Sequence, residues 1–267
     1  MKHVISSLVL ISLLIAGSQM FYSCKSFGKK ADTTNAEAMV IDPFNSLTEQ
    51  EKAEGWIMLF DGKSFDGWRG YGKDSFPAGG WVIDSNALKC NGSGRGEAGS
   101  ASGGDILYDK KFSNFHIKLE WRISEGGNSG IFYLGQEDST FDFIWKTAPE
   151  MQVLDNAKHP DAQAGKDGNR QAGSLYDLIP AVPQNAKPAG EWNTAEIKVY
   201  KGTVWHYQNG VQVLEYHLWT PEWNKMVADS KFPALNPKWA EVAAEGYIGL
   251  QDHGDDVWYR NIKIKEL

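Results

Sequence analysis

From residue 57 to residue 264 the chain consists of short runs in which apolar, β-branched and aromatic side chains alternate with polar ones, and Gly, Asn, Asp or Pro closes each run. A repeat of two suits an extended strand, whose successive side chains point to opposite faces, and does not suit a helix. Such runs occupy residues 57–60, 81–83, 106–108, 116–123, 130–134, 150–154, 194–200, 204–207, 211–216, 246–250 and 257–264. Asn209-Gly210, between two of them, predicts a tight hairpin because both residues tolerate positive φ. Strands do not alternate with helical stretches, which argues against a parallel α/β sheet. The expectation is an all-β chain, a jelly-roll β-sandwich with short helical insertions. Thr48 with Glu51 forms a capping-box pattern that predicts one short helix ending near Gly55. A second helical stretch is expected between the last strands, where Thr220-Pro221 and Asn236-Pro237 each set a capping residue before a proline.

The start of the chain reads differently. Lys2 precedes an apolar stretch over residues 4–16 of signal-peptide length, and Gly17, Ser18 and Ser23 are small residues suited to processing. Phe21-Tyr22-Ser23-Cys24 resembles a lipobox, although Phe21 and Tyr22 are bulkier than is usual there. Residues 1–23 are therefore expected to be a signal peptide and Cys24 the lipidated residue, with ordinary cleavage nearby or an uncleaved anchor as alternatives. Residues 24–47 are polar and without periodicity and read as a tether, leaving 48–267 as one domain. The expected location is the periplasm or cell envelope, with the membrane as a partner through the lipid anchor. Cys90 is the only other cysteine, so no disulfide framework holds the fold.

A net charge of −7 argues against nucleic acid as a partner, because phosphates need a basic face. Gly62-Lys63-Ser64 resembles the end of a phosphate-binding loop, but Ile57 stands where its first glycine belongs. Residues 94–99 fit a Gly-x-Gly-x-x-Gly spacing, but no helical pattern follows. No nucleotide cofactor is expected. The 11 tryptophans are open to two readings, core packing or stacking on sugar rings.

Polar residues share strand faces in three places. Glu120 and Arg122 lie opposite Leu119, Trp121 and Ile123; Glu150 and Gln152 lie opposite Met151 and Val153; Gln251 and His253 share a face opposite Leu250. They read as walls of one polar groove, or as ordinary solvated sheet faces. His116 and His206 are expected to be structural histidines.

Together, LFDGKSFDGW (59–68), LEWRISEGGNSGIFY (119–133), PEMQVLDN (149–156), AGSLYDLIP (172–180), GEWNTAEI (190–197) and GYIGLQDHGDDVWYRNIKI (246–264) resemble the 3-keto-disaccharide hydrolase family, in order over about residues 48–267. The resemblance implies a concanavalin-like jelly roll and a small saccharide or glycoside substrate oxidised to a ketone at C3. Such a ketone acidifies the C2 hydrogen, so a base can form an enediolate and the oxygen on C1 can leave, with water added later. The chemistry needs a base, an acid and a group that stabilises the enolate oxygen. His253 is the candidate base or acid, with Glu150 its catalytic complement. Glu120, Asp155, Asp252 and Gln152 are candidates for holding a divalent cation on the ketone; Arg122 is the alternative for the oxyanion. Asn128, Ser129, Gln152, Tyr176, Trp192 and Gln251 are expected to contact the sugar. A non-catalytic, lectin-like module is the other function that the expected sandwich could serve.

Overall fold

The computed structural model describes residues 44–96 and 103–267. The expected signal peptide and the expected lipidation site, Cys24, lie outside the described residues. The chain enters through α1 (Glu49–Ala53), where Thr48 Oγ1 accepts from the Glu51 amide and the Glu51 carboxylate accepts from the Thr48 amide. The capping box therefore works as its spacing predicts. Strands β1 (Ile57–Met58), β2 (Trp68–Gly70), β3 (Trp81–Asp84), β4 (Ala87–Cys90) and β5 (Ile106–Phe112) follow. Next come β6 (Phe115–Ile123), β7 (Asn128–Gly135), β8 (Glu150–Leu154), β9 (Asn193–Tyr200), β10 (Thr203–Gln208) and β11 (Val211–His217). Helices α2 (Pro221–Ala228) and α3 (Phe232–Leu235) precede the closing strands β12 (Gly246–Leu250) and β13 (Val257–Glu266).

The strands form two antiparallel sheets. The larger runs β11-β10-β9-β6-β13-β4-β3, with β1 also on β13; the smaller runs β2-β5-β12-β7-β8. Alternation decides what each face does. In β6, Phe115, Ile117, Leu119, Trp121 and Ile123 are buried while His116, Lys118, Glu120 and Arg122 are not. The apolar set packs against Ile131, Met151 and Val153 of the smaller sheet in one core. The tryptophans divide accordingly: Trp68, Trp81, Trp121, Trp223 and Trp239 are core residues. Asn209 and Gly210, at φ 49° and 76°, make the expected hairpin between β10 and β11.

The helical insertion differs in its second half. Thr220 caps α2, accepting from the Trp223 amide, with Pro221 in the first turn. Asn236 instead ends α3, and its Oδ1 accepts from the Lys238 amide in a turn. The same side-chain chemistry that caps a helix closes a turn, and the local pattern does not distinguish the two.

His206 is fully buried between the sheets and is structural, as expected. Its Nδ1 donates to the Gly173 carbonyl at 3.1 Å, which leaves Nε2 to accept from Tyr133 Oη at 2.8 Å; Tyr216 Oη meets Tyr133 Oη at 2.7 Å. Burial lowers the imidazole from 6.5 to about 4. The unfolded chain therefore takes up this proton first. Stability contributed by the neutral ring is complete above pH 6.5 and is lost as pH falls toward 4, by roughly 3 kcal/mol at the low end. Denaturant midpoints measured across that window should decline in the wild type and decline less in His206→Gln.

Candidate active site

Residues paired directly across antiparallel strands point to the same side of a sheet. Asn128 pairs with Leu154, Gly130 with Gln152, and Phe132 with both Glu150 and Gly249. These residues therefore share the face of the smaller sheet turned away from the core. That face carries a cleft of about 300 Å³. Asn128, Glu150, Gln152, Gln251 and His253 line it, together with Trp145, Tyr176, Lys231, Phe232 and Leu235 from the segments that follow β7 and β8 and from the helical insertion.

Glu150 is only 7 % exposed. It fits over the sheet because Gly130 has no side chain: a Cβ there would lie 2.2 Å from Glu150 Oε1. One end of the Gln152 amide lies 2.8 Å from that same oxygen and 3.1 Å from the Ser129 carbonyl. Both are acceptors, so that end is Nε2 and it donates to both, fixing where the Glu150 carboxyl group sits. Burial lowers His253 below the usual histidine range; Asp255 opposes the shift and nearby His159 adds to it. The His159 and His253 rings meet edge to face at 6.3 Å, and His159 Nδ1 accepts from the Asp161 amide at 3.1 Å. The cleft thus brings the buried Glu150 carboxyl group together with an imidazole that burial keeps neutral at neutral pH.

The segment between β8 and β9 folds back over the strand ends, and the Tyr176 amide donates to the Glu150 carbonyl at 3.0 Å. Tyr176 Oη donates to Asp161 Oδ2 at 2.9 Å, while Arg170 bonds both Asp161, at 2.8 Å, and Asp177. Burial would push Asp161 up, but Arg170 and Tyr176 outweigh it and hold the carboxyl below its usual range. Burial pushes the Tyr176 phenol up, with Glu150 and Asp161 adding to the shift.

Six of the expected site residues thus line one cleft: Asn128, Glu150, Gln152, Tyr176, Gln251 and His253. Ser129 lies fully buried, donating to the Gln251 carbonyl at 2.7 Å and meeting Tyr259 Oη at 2.8 Å. It supports the strand end rather than lining the cleft. Arg122 and Trp192 are not at the cleft. β6 lies in the larger sheet with its polar side chains facing outward, and the Arg122 guanidinium stacks 5.0 Å from the Trp192 ring and 4.4 Å from Trp258. The expected single groove is therefore two walls from the smaller sheet, and the third is an outer face of the other sheet.

The cation candidates do not converge either. Glu120 accepts from Arg260 Nε at 2.7 Å and Asn261 Nδ2 at 2.8 Å. Asp155 caps the Gly126 and Ala157 amides, and Asp252 the Gly104 and Gly254 amides. Among the described residues no group of three His, Cys, Asp or Glu side chains could hold a metal ion. Glu120, Asp155 and Asp252 do not fit a shared cation, because each already serves its own local hydrogen bonds.

The family of the 3-keto-alpha-glucoside-1,2-lyase-like domain matches residues 55–265. The chain belongs to this family. A 3-keto-disaccharide hydrolase of Bacteroides thetaiotaomicron is 54 % identical over 241 residues, which span 84 % of this chain and 82 % of that one. The chain also resembles two crystal structures from Parabacteroides distasonis, each provisionally named a glycosyl hydrolase. The first shares 29 % identity at TM-score 0.72, covering 84 % of this chain and 99 % of the other. The second shares 26 % at TM-score 0.59, covering 79 % and 99 %.

In this lyase-like domain, sequence reasoning missed Lys231, Trp145, Phe232 and Leu235 on the cleft wall and the supporting group Asp161, Arg170 and His159. One signal was available: residues 158–178 crowd Lys, His, Asp, Arg and Tyr between two strands, far more polar chemistry than a connection needs.

Proposed function

We propose that the protein cleaves the glycosidic bond of 3-keto-glycosides, 3-keto-disaccharides among them, by elimination across C1 and C2 followed by addition of water. The observation that carries this reading is the pairing, in one cleft, of a buried carboxylate oriented by Gln152 with an imidazole that burial keeps neutral. The family and the named Bacteroides thetaiotaomicron relative support the substrate class.

In this reading Glu150 takes the proton from C2. His253, neutral, donates an N–H to the C3 oxygen as charge builds there, and a neutral donor does so without lowering the proton affinity of the base beside it. Asn128 and Gln251 offer amide groups to the sugar hydroxyls, and the half-buried Trp145 ring suits the C–H surface of a pyranose ring. Two carboxylates flanking an oxocarbenium-like centre, as in ordinary glycosidases, are not required.

The test offers purified protein a panel of disaccharides, each intact and as its 3-keto form, and follows free sugar release. Cleavage confined to the oxidised forms is the expected result. Saturable binding of intact sugars without cleavage of either form would sink the proposal and leave a sugar-binding module.

A further inference from the structure

The proposed elimination leaves one proton to be supplied: the oxygen departing from C1 of a disaccharide is a poor leaving group unless an acid meets it. The geometry narrows the donors. Glu150 accepts from Gln152 and serves as the base. Tyr176 has a single hydroxyl proton, and it is committed to Asp161 Oδ2 at 2.9 Å. Asp161 is itself fixed by Arg170. The Tyr176 oxygen in turn accepts from Lys231 Nζ at 3.2 Å. An ammonium has three N–H groups, and Asp177 Oδ2, at 3.8 Å, is beyond hydrogen-bond range.

We propose that Lys231, which lines the same cleft as Glu150 and is aimed by the Tyr176–Asp161–Arg170 chain, is the general acid that protonates the leaving glycosidic oxygen. This rests on the elimination reading above. Lys231 stands immediately before α3, whose first residue Phe232 is buried and stacks on Trp239 at 3.9 Å, so its backbone is anchored in the core. The whole side chain keeps 38 % of its surface exposed, and the amine lies over the Tyr176 ring, 4.3 Å from its centroid. Enclosure there lowers its proton affinity; Asp177 opposes this, Arg170 adds to it, and Glu150 and Asp161 oppose it. An amine so placed gives up a proton more readily than one in water.

The step balances. As the enediolate collapses, the C3 carbonyl reforms, the C2–C3 electron pair becomes the C1=C2 bond, and the C1–O bond pair goes to the departing oxygen. That oxygen takes a proton from Lys231 Nζ. Glu150 ends protonated and Lys231 neutral, and proton return between them through solvent restores both.

The experiment compares full-length wild type, Lys231→Met and Lys231→Arg on two oxidised substrates, a 3-keto-disaccharide and 4-nitrophenyl 3-keto-glucoside. Nitrophenolate leaves without a proton, so it reports folding, binding and C2 deprotonation alone. K231M should lower kcat on the disaccharide by roughly 10²–10⁴-fold and on the nitrophenyl glycoside by less than about tenfold. K231R should behave like K231M, because a guanidinium keeps the charge but does not release its proton. Equal losses on both substrates, no loss on either, or restoration by Arg would each overturn the acid role. A wild-type enzyme that cleaves neither substrate overturns the elimination reading and this inference together.

Discussion

Glu150→Gln should lower kcat on 3-keto-disaccharides by roughly 10²–10⁴-fold with little change in KM. Glutamine keeps the volume of the side chain and an oxygen to accept from Gln152, so the buried site stays filled and hydrogen-bonded. What it loses is the ability to take a proton from C2. His253→Asn separates the second role. It should reduce kcat while leaving Glu150 competent, and it should also alter the acid side of the pH profile. In the wild type, protonation of His253 places a cation beside the base and removes the neutral donor. Its lowered proton affinity puts that loss below pH 6.5, so activity should fall as pH drops through the weakly acidic range. In the Asn variant any limb belonging to the imidazole disappears. Steady-state kinetics between pH 4 and 8 on both variants is the check, and turnover within about threefold of wild type for Glu150→Gln would remove that residue from the mechanism.

Gly130→Ala is the second large effect, at a residue with no functional group. The new Cβ would stand 2.2 Å from Glu150 Oε1, 2.7 Å from Cδ and 2.8 Å from Cγ. All three atoms belong to the outer part of a side chain, so the strand need not move and Glu150 must. The displaced carboxylate also loses the Gln152 donor. Misplacement of a catalytic group by about 1 Å is enough to cost on the order of 10²-fold in rate. The expected result is a drop of that size in kcat with a thermal midpoint close to wild type. Activity near wild type would mean that the carboxylate does not need the position it now holds.

Much of the site is visible in the sequence because β8 obeys the period-two rule, and Gln251 and His253 follow directly after β12. Glu150 with Gln152, and Gln251 with His253, share faces by spacing alone, and the structure sets both pairs on one cleft. The same rule gives Glu120 and Arg122 an equally polar face, and it cannot say that β6 pairs with β9 and β13 in the other sheet. Alternation is a local property of one strand. Membership of a sheet is decided by hydrogen bonding between strands far apart in sequence, and β13 reaches β6 across more than a hundred residues.

The acidic residues show the same division. Asp155 and Asp252 look like ligands in a list of residue types, yet each ends by capping backbone amides.

The all-β class, the capping box of α1, the Asn209-Gly210 turn and the polar faces of individual strands are all legible in the residues alone. Each depends on neighbours within a few residues, where steric and hydrogen-bonding preferences act directly. Which face became the cleft, and what closed it, was settled by long-range packing. Tyr176, Asp161 and Arg170 arrive on the connection after β8, and Lys231 arrives on the helical insertion more than fifty residues later. No periodicity links those segments. They meet because burial of the apolar side chains beneath them, Phe232 on Trp239 and the strands of the smaller sheet against the core, brings their backbones together.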